Sequence, residues 1–216
     1  MASAKYGRTP HLPNSPGGTD DDERLGNAQA FVGRTIVILE KMDGGNWCMT
    51  RDACYARSHS GNTRNPIFDP AKALWSQKRW DIDGMRSVFG EWLYYRHTIA
   101  YSALPAPFML FNVRNDVTGA WASWEDVELW AAILELPTVP VLWQGVVHSE
   151  DELFKLIDRL VLESSACGGQ REGVVVRLAD EIVPDAWSSS IAKWVRADHI
   201  QRNPSVSEHN GLCNVV

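Results

Sequence analysis

Hydrophobic and polar residues repeat with two different periods along this chain, and the two periods separate the predicted strands from the predicted helices. The run GRTIVILEK at 33–41 is rich in β-branched residues and predicts a strand that ends near a Gly-Gly turn. The following NWCMTRDACYARS, residues 46–58, predicts a second strand that pairs with the first as a hairpin. Further strands are predicted within residues 86–96, 107–116, 172–180 and 190–199.

Three other segments have apolar residues at helical spacing. DPAKALWSQKRW at 69–80 is the first, and WEDVELWAAILEL, which follows Ser123, is the second. The third begins after Ser149, which forms a capping box with Glu152, and CGG at 167–169 is expected to end it. Strands and helices alternate irregularly, without a βαβ rhythm, so we predict an α+β fold on mostly antiparallel sheet flanked by helices.

The length of the chain, 216 residues, suits one domain with its own core. Residues 1–27 are rich in Pro, Gly, Asn and Asp and predict an irregular arm; the domain is expected at 28–200 and a tail at 201–216, with no appended domain. No stretch is apolar enough for a membrane helix or a signal peptide, and the four cysteines match no zinc spacing. We therefore expect a soluble, cytoplasmic protein with reduced thiols.

The net charge of −6 argues against a protein that coats nucleic acid through its overall charge. It leaves room for a local basic groove. The residues that we expect to supply such a phosphate-binding surface are Arg8, His11, Arg57, His59, Arg64, Arg171, Arg177, Lys193 and Arg196.

The motif KMDGG places Lys41 at the end of the first predicted strand, followed by Asp43 and two glycines. Lysine attacks as a neutral amine, and burial beside cations or metal ions lowers its pKa toward neutrality. Glycines let phosphate or sugar groups approach the backbone closely. Two interpretations follow from this motif alone, a nucleophilic lysine beside a bound ligand or a solvated lysine on a surface hairpin.

Four other segments favour the first interpretation through their order along the chain. They carry Arg57, Glu91, Glu172 in EGVVVR, and Lys193 in AKWVR. Together with KMDG and the strand FMLFNV at 108–113, these segments resemble the motifs of the covalent nucleotidyltransferase superfamily. KMDGGNW, ARSHSG and FMLFNV are most similar to ATP-dependent RNA ligases of the RNA ligase 2 type, and YGRTPHLPNSPG resembles the segment that precedes the lysine in some phage-type members.

The resemblance implies an adenylation domain of ATP-grasp-like architecture and a three-step reaction. Lys41 attacks the α-phosphate of ATP, AMP then passes to an RNA 5′-phosphate, and an RNA 3′-hydroxyl displaces it. The implied cofactors are ATP and Mg²⁺ or Mn²⁺, and the implied partner is RNA with 5′-phosphate and 3′-hydroxyl ends. The resemblance also implies that the protein works in a bacterial or phage-infected host cell, and it leaves open whether a partner domain or subunit is needed.

The resemblance also implies a role for each motif residue. Lys41, Asp43 and Lys193 are catalytic, and Lys193 also contacts the α-phosphate. Glu172 binds or positions the metal. Nucleotide contacts are implied for Glu40 at the adenine edge, Arg57 at phosphate or ribose, Glu91 at the ribose hydroxyls, Phe111 on the adenine ring, and Arg196 beside Lys193.

Two positions differ from the family pattern. Asn112 stands where many relatives have aspartate, and Val195 occupies the second basic position of the closing motif, with Arg196 after it. Phe111 is equally compatible with plain core packing. Two other functions remain open, a guanylyl- or DNA-end adenylyltransferase and a non-catalytic nucleic-acid-binding module of the same fold. The short C-terminal remainder disfavours capping enzymes and DNA ligases, which rely on an attached OB domain.

Overall fold

The strands form two four-stranded antiparallel sheets in a computed structural model that describes residues 5–18, 22–56, 66–197 and 213–214. The first sheet has the order β6-β1-β7-β8 and the second the order β3-β2-β4-β5. The strands are β1 (Thr35–Lys41), β2 (Gly45–Met49), β3 (Cys54–Ala56), β4 (Arg86–Trp92), β5 (Phe108–Asn115), β6 (Val141–Val146), β7 (Gly173–Leu178) and β8 (Ile191–Val195). The predicted α+β class with mostly antiparallel sheet is confirmed.

The predicted hairpin between the first two strands is wrong, because β1 and β2 belong to different sheets. β1 is central in its sheet and pairs with β6 on one side and β7 on the other. Both of its edges are thus occupied, and β2 pairs instead with β3 and β4. The KMDGG motif is the crossing between the two sheets, which places Lys41 at their junction.

Within the described residues, four α-helices flank the sheets: α1 (Asp69–Lys78), α2 (Trp124–Ile133), α3 (Glu150–Leu162) and α4 (Trp187–Ser190). The Ser149 hydroxyl accepts a hydrogen bond from the Glu152 amide and caps α3 as predicted. The predicted end of α3 is wrong, because the helix stops at Leu162. The glycines Gly168 and Gly169, both with positive φ, form a separate turn between α3 and β7.

The alternation of side chains along β1 divides the core between its two faces. Ile36 and Ile38 pack with the apolar residues of α3. Val37 and Leu39 pack on the opposite face, in the cluster that includes the second sheet. Lys41 follows the same alternation as Val37 and Leu39, so the strand directs it into the space between the sheets.

The N-terminal arm runs beside β8, parallel to it at His11. The Leu12 amide donates to the Lys193 carbonyl, the Lys193 amide to the Pro10 carbonyl, and the Gly17 amide to the Val195 carbonyl, each at 2.8 Å. These bonds cover the outer edge of β8, which the sheet leaves unpaired. The arm therefore follows the strand that carries the closing lysine. No helix in the described part of the chain is long and apolar enough to cross a membrane.

Candidate active site

A cleft of about 500 Å³ opens between the two sheets at the end of β1. Both sheets contribute to its walls, and so does the N-terminal arm. The lining includes seven of the residues singled out from the sequence: Glu40, Lys41, Asp43, Glu91, Phe111, Arg177 and Lys193. Motifs that are up to 153 positions apart along the chain thus meet around one cavity.

Lys41 forms an ion pair with Glu172, the residue just ahead of β7, in the interior of the cleft. The distance from Lys41 Nζ to Glu172 Oε1 is 2.5 Å, and the Glu172 side chain is fully buried. Burial by itself lowers the pKa of Lys41, but the charges of Glu172, Glu91 and Asp43 outweigh it and leave the pKa raised. The surrounding carboxylates thus act against the lowered lysine pKa that is expected beside cations or metal ions.

Glu91 lies on β4 and faces the same cavity. Its Oε1 accepts a hydrogen bond from the Gly44 amide at 3.1 Å. Burial raises the pKa of Glu91 to about 8, with Lys41 opposing the shift and Glu172 adding to it. Glu91 and Lys41 thus act on each other, since Lys41 lowers the pKa of Glu91 and Glu91 raises that of Lys41, while Glu172 makes the direct contact with the Lys41 amine.

Asp43 uses its carboxylate to hold the loop that follows β4. Its Oδ2 accepts hydrogen bonds from the Thr98 and Ile99 amides at 2.7 Å each, while its own amide donates to the Tyr101 hydroxyl. Gly44, next in the motif, has no room for a side chain, since a Cβ atom there would lie 2.5 Å from the Trp92 carbonyl oxygen. Asp43 and Gly44 therefore fix the turn that presents Lys41.

Phe111 lies at a β-bulge in β5. Phe89 pairs with Asn112 and Gly90 with Leu110, which leaves Phe111 as the extra residue directed into the cleft. The ring of Tyr6, from the arm, meets Phe111 edge to face at a centroid distance of 5.0 Å. One side of Phe111 is thus packed on an aromatic neighbour, and the residue also lines the cavity.

Asn112, the departure from the family pattern, is fully buried behind Phe111. Its Oδ1 accepts from the Arg177 guanidinium at 3.3 Å, and its Nδ2 lies 3.4 Å from the Tyr6 hydroxyl. The amide thus satisfies an arginine and a tyrosine at once, whereas a carboxylate has no N–H to offer the tyrosine oxygen. The substitution matches the presence of Tyr6 at this site.

Lys193 enters the cleft from β8 and is held by the arm. Its Nζ lies 3.2 Å from Asp22 Oδ1, and the same carboxylate lies 3.6 Å from His11 Nε2. His11 Nδ1 is 2.8 Å from the Ser15 hydroxyl. Sequence reasoning missed Asp22, because it belongs to the acidic run DDDE, a pattern typical of a solvated loop.

His11 is expected to make the attachment of the arm depend on pH. Burial, followed by the charge of Lys193, lowers the pKa of His11 to about 4 despite the opposing charge of Asp22. The unfolded chain binds a proton near pH 6.5, so the stabilisation by neutral His11 is complete above that pH and is lost as the pH falls toward 4. When the pH is lowered from 7 to 5, the melting temperature of the unaltered chain should fall by about 2 to 4 °C more than that of the His11→Asn variant. Equal falls in the two proteins would show that His11 makes no such contribution.

Two predicted nucleotide contacts, Glu40 and Arg196, have other placements, and a third, Arg57, falls outside the described residues. The carboxylate of Glu40 accepts from the Ala166 amide and lies 3.6 Å from Arg171 Nε, on the face of β1 shared with Ile36. Arg196 follows β8, donates its amide to the Glu172 carbonyl and is not among the residues that line the cleft. Arg57 lies outside the described residues, as do His59 and Arg64 of the predicted phosphate-binding surface.

Two other members of that predicted surface are buried; the prediction is wrong for Arg171, which does not line the cleft, whereas Arg177 does line it. Arg171 is 4% exposed and donates to the Leu160 carbonyl as well as facing Glu40. Arg177 is fully buried, and its guanidinium donates to the carbonyls of Ala122 and Leu178. Both arginines satisfy interior carbonyl groups, which a sequence pattern does not reveal.

A divalent metal ion fits this site only together with ligand atoms. Among the residues described here, no three His, Cys, Asp or Glu side chains are grouped to hold a metal ion. Mg²⁺ is commonly bound through one or two carboxylates, with phosphate oxygens and water completing its shell. Glu172 and Glu91, which flank Lys41 in the cleft, provide that number of carboxylates.

Two antiparallel sheets with a lysine at the strand end between them match the arrangement expected from the resemblance to nucleotidyltransferases. A family model described as RNA ligase matches residues 34–195, well over half of the chain. The chain belongs to the RNA ligase family. A comparison with curated proteins finds no match.

Solved RNA ligase structures share the fold. An archaeal ATP-dependent RNA ligase is 16% identical with a TM-score of 0.57, and the match covers 89% of this chain and 48% of that one. A mutant of the Naegleria gruberi RNA ligase with AMP and Mn is 12% identical with a TM-score of 0.57, covering 90% and 56%. The same ligase with PPi is 14% identical with a TM-score of 0.54, covering 91% and 61%. This chain thus spans about half the length of these structures.

Proposed function

We propose that this chain is the adenylation unit of an ATP-dependent RNA ligase that joins RNA 5′-phosphate and 3′-hydroxyl ends through a lysyl-AMP intermediate. The observation that carries the proposal is the position of Lys41, which lies at a strand end inside the cleft with Glu172, Glu91 and Lys193 around it. Membership of the RNA ligase family and the solved relatives with AMP, PPi and Mn support the choice of reaction and nucleotide.

In the first step, Lys41 Nζ forms a bond to the α-phosphorus of ATP while the bond to pyrophosphate breaks. Lys41 must lose a proton to do so, and Glu172 Oε1, at 2.5 Å, is the acceptor that touches it. In the second step, an oxygen of the RNA 5′-phosphate displaces Lys41 and takes the AMP. In the third, the RNA 3′-hydroxyl oxygen attacks that phosphate and AMP leaves.

The other cleft residues bind and orient the nucleotide in this proposal. Phe111 stacks on the adenine ring, Glu91 binds the ribose hydroxyls, and Lys193 stabilises negative charge developing at the α-phosphate. The carboxylate of Glu40 is engaged with Arg171, so we assign the contact with the adenine edge to the Glu40 backbone. Arg57 and Arg196 are assigned to phosphate and ribose on the basis of the family resemblance.

Glu172 is the residue proposed to hold a divalent metal ion. Bound there with the triphosphate, Mg²⁺ or Mn²⁺ would supply positive charge that offsets the phosphates and opposes the raised pKa of Lys41. Asp43 contributes by fixing the motif turn through the Thr98 and Ile99 amides. We also propose that residues 28–200 form the catalytic unit and that a partner domain or subunit helps to hold the RNA.

The direct test is the intact mass of the purified chain after incubation with Mg²⁺ and either ATP or GTP. A gain of one AMP from ATP alone, reversed by added pyrophosphate, is expected. A gain of one GMP from GTP would indicate a guanylyltransferase instead. An unchanged mass in both reactions, from a protein that carries no AMP before incubation, would overturn the proposed first step.

A further inference from the structure

Trp80 lies largely in solvent, although it is an aromatic residue of high burial tendency. It is 64% exposed, and the other nine tryptophans are buried or half-buried. Trp80 follows the last turn of α1, outside the cleft and outside every motif discussed above. A single exposed apolar residue is common on protein surfaces, so the interest of Trp80 lies in the charged side chains around it.

Two arginines stack on this tryptophan. The guanidinium carbon of Arg79 lies 4.7 Å from the Trp80 ring centroid and 4.4 Å from that of Trp75, and that of Arg51 lies 5.5 Å from the Trp80 centroid. The four side chains thus form an alternating series of rings and cations, which we call the Trp80 stack. The Trp75 indole donates to the Thr50 carbonyl and ties α1 to the turn that carries Arg51.

Neither arginine of the Trp80 stack has a carboxylate partner within the described ranges. Two neighbouring cations do have carboxylate partners, because Lys78 pairs with Glu135 and Arg86 pairs with Asp83. Arg51 and Arg79 therefore keep hydrogen-bond donors and positive charge for a ligand beside an exposed ring. Bases stack on such rings, and guanidinium groups bind phosphate through a planar fork of donors.

The Trp80 stack has a defined position relative to the cleft. β2 begins at Gly45, which lines the cleft, and ends two residues before Arg51. α1 begins just after Phe68, which also lines the cleft, and ends two residues before Trp80. The length of either element places the stack about 15 Å from the cleft edge. A few nucleotides of single-stranded RNA span that distance.

We propose that Trp80, Arg51 and Arg79 form a binding site for single-stranded RNA, in which an unpaired base stacks on the Trp80 ring in place of the more distant guanidinium, that of Arg51, which then pairs with a flanking phosphate. The inference rests on the proposed function and adds to it a contact a few nucleotides away from the ends being joined. RNA is favoured over a protein partner because two unpartnered cations beside one ring match a base with its flanking phosphates. The overall charge of −6 makes such a local site necessary for RNA binding.

The test is binding of a fluorescent single-stranded oligoribonucleotide with a 5′-hydroxyl end, which cannot accept AMP, measured by anisotropy with the full chain. Trp80→Ala is expected to weaken binding about fivefold or more, and Trp80→Phe to restore part of it. Leu162→Ala, which removes an even more exposed apolar side chain on α3, is the matched control. Arg51→Ala should weaken binding more than Arg159→Ala, which removes one exposed arginine from α3.

Three other results of the binding experiments would overturn the inference. Equal affinities for Trp80→Ala and Leu162→Ala would show that no base stacks on Trp80, and equal losses for the two arginine variants would show only a general effect of charge. If Trp80→Ala left the RNA affinity unchanged but lowered the average mass measured by light scattering, the Trp80 stack would be a contact between copies of the chain. AMP attachment by Trp80→Ala, tested in parallel, is expected to be normal. Failure of AMP attachment in every protein would contradict the proposed function but not the RNA site.

Discussion

Lys41→Arg is expected to yield no detectable AMP adduct with ATP and Mg²⁺, while the protein remains folded. Arginine keeps the positive charge that faces Glu172, but its guanidinium stays protonated at all working pH values and so has no lone pair for attack on phosphorus. Lys41→Ala should also yield no adduct. It is the less informative variant, because it leaves buried Glu172 without its cation and should destabilise the protein as well.

The measurement is intact mass after incubation, with thermal melting of the same samples as a test of folding. Lys193→Arg serves as the comparison, because it changes a second lysine of the same cleft that is not the proposed nucleophile. That variant should still form the adduct, at a reduced rate. An AMP adduct on the Lys41→Arg protein, at any level above the background of unincubated protein, would mean that another residue is the nucleophile.

Local sequence patterns predicted most of the elements of this fold but not the pairing of its strands. β1, β4, β5, β7 and β8 all fall within predicted strand segments, because β-branched and aromatic residues mark them. β6 was not predicted, because this edge strand is partly exposed and its residues do not alternate clearly. The choice between a hairpin and two sheets depends on which strands occupy both edges of β1, and a local pattern does not contain that information.

For the site, likewise, the sequence predicted which residues come together but not how their surroundings affect them. The order of Lys41, Glu91, Glu172 and Lys193 along the chain predicted that they share a site, and all but Glu172 line one cleft, with Glu172 in contact with Lys41. Their protonation was not predictable. Burial and three carboxylates act on Lys41 in opposite directions, and only the distances decide that its pKa is raised. The attachment of Lys193 to Asp22 likewise depends on the path of the arm.

Glu172→Gln is expected to reduce the rate of AMP attachment by about 10²- to 10⁴-fold, the usual contribution of a general acid or base. The amide keeps the size of the side chain and a carbonyl oxygen for the Lys41 Nζ hydrogen bond, so the fold should be retained. It removes the proton acceptor and the carboxylate assigned to the metal ion. Single-turnover rates of adduct formation between pH 6 and pH 9 provide the measurement.

Whether Glu172→Gln slows or speeds AMP attachment distinguishes two roles for Glu172. Glu172 raises the pKa of Lys41, so its neutralisation lets the pKa fall and increases the fraction of neutral amine at pH 7. A carboxylate that only held the lysine in its charged form would therefore slow the reaction, and Glu172→Gln would be faster than the unaltered chain. A faster variant would contradict the proposed role. The control for the loss of one negative charge is Glu163→Gln, which removes an exposed carboxylate just after α3 and should leave the rate unchanged.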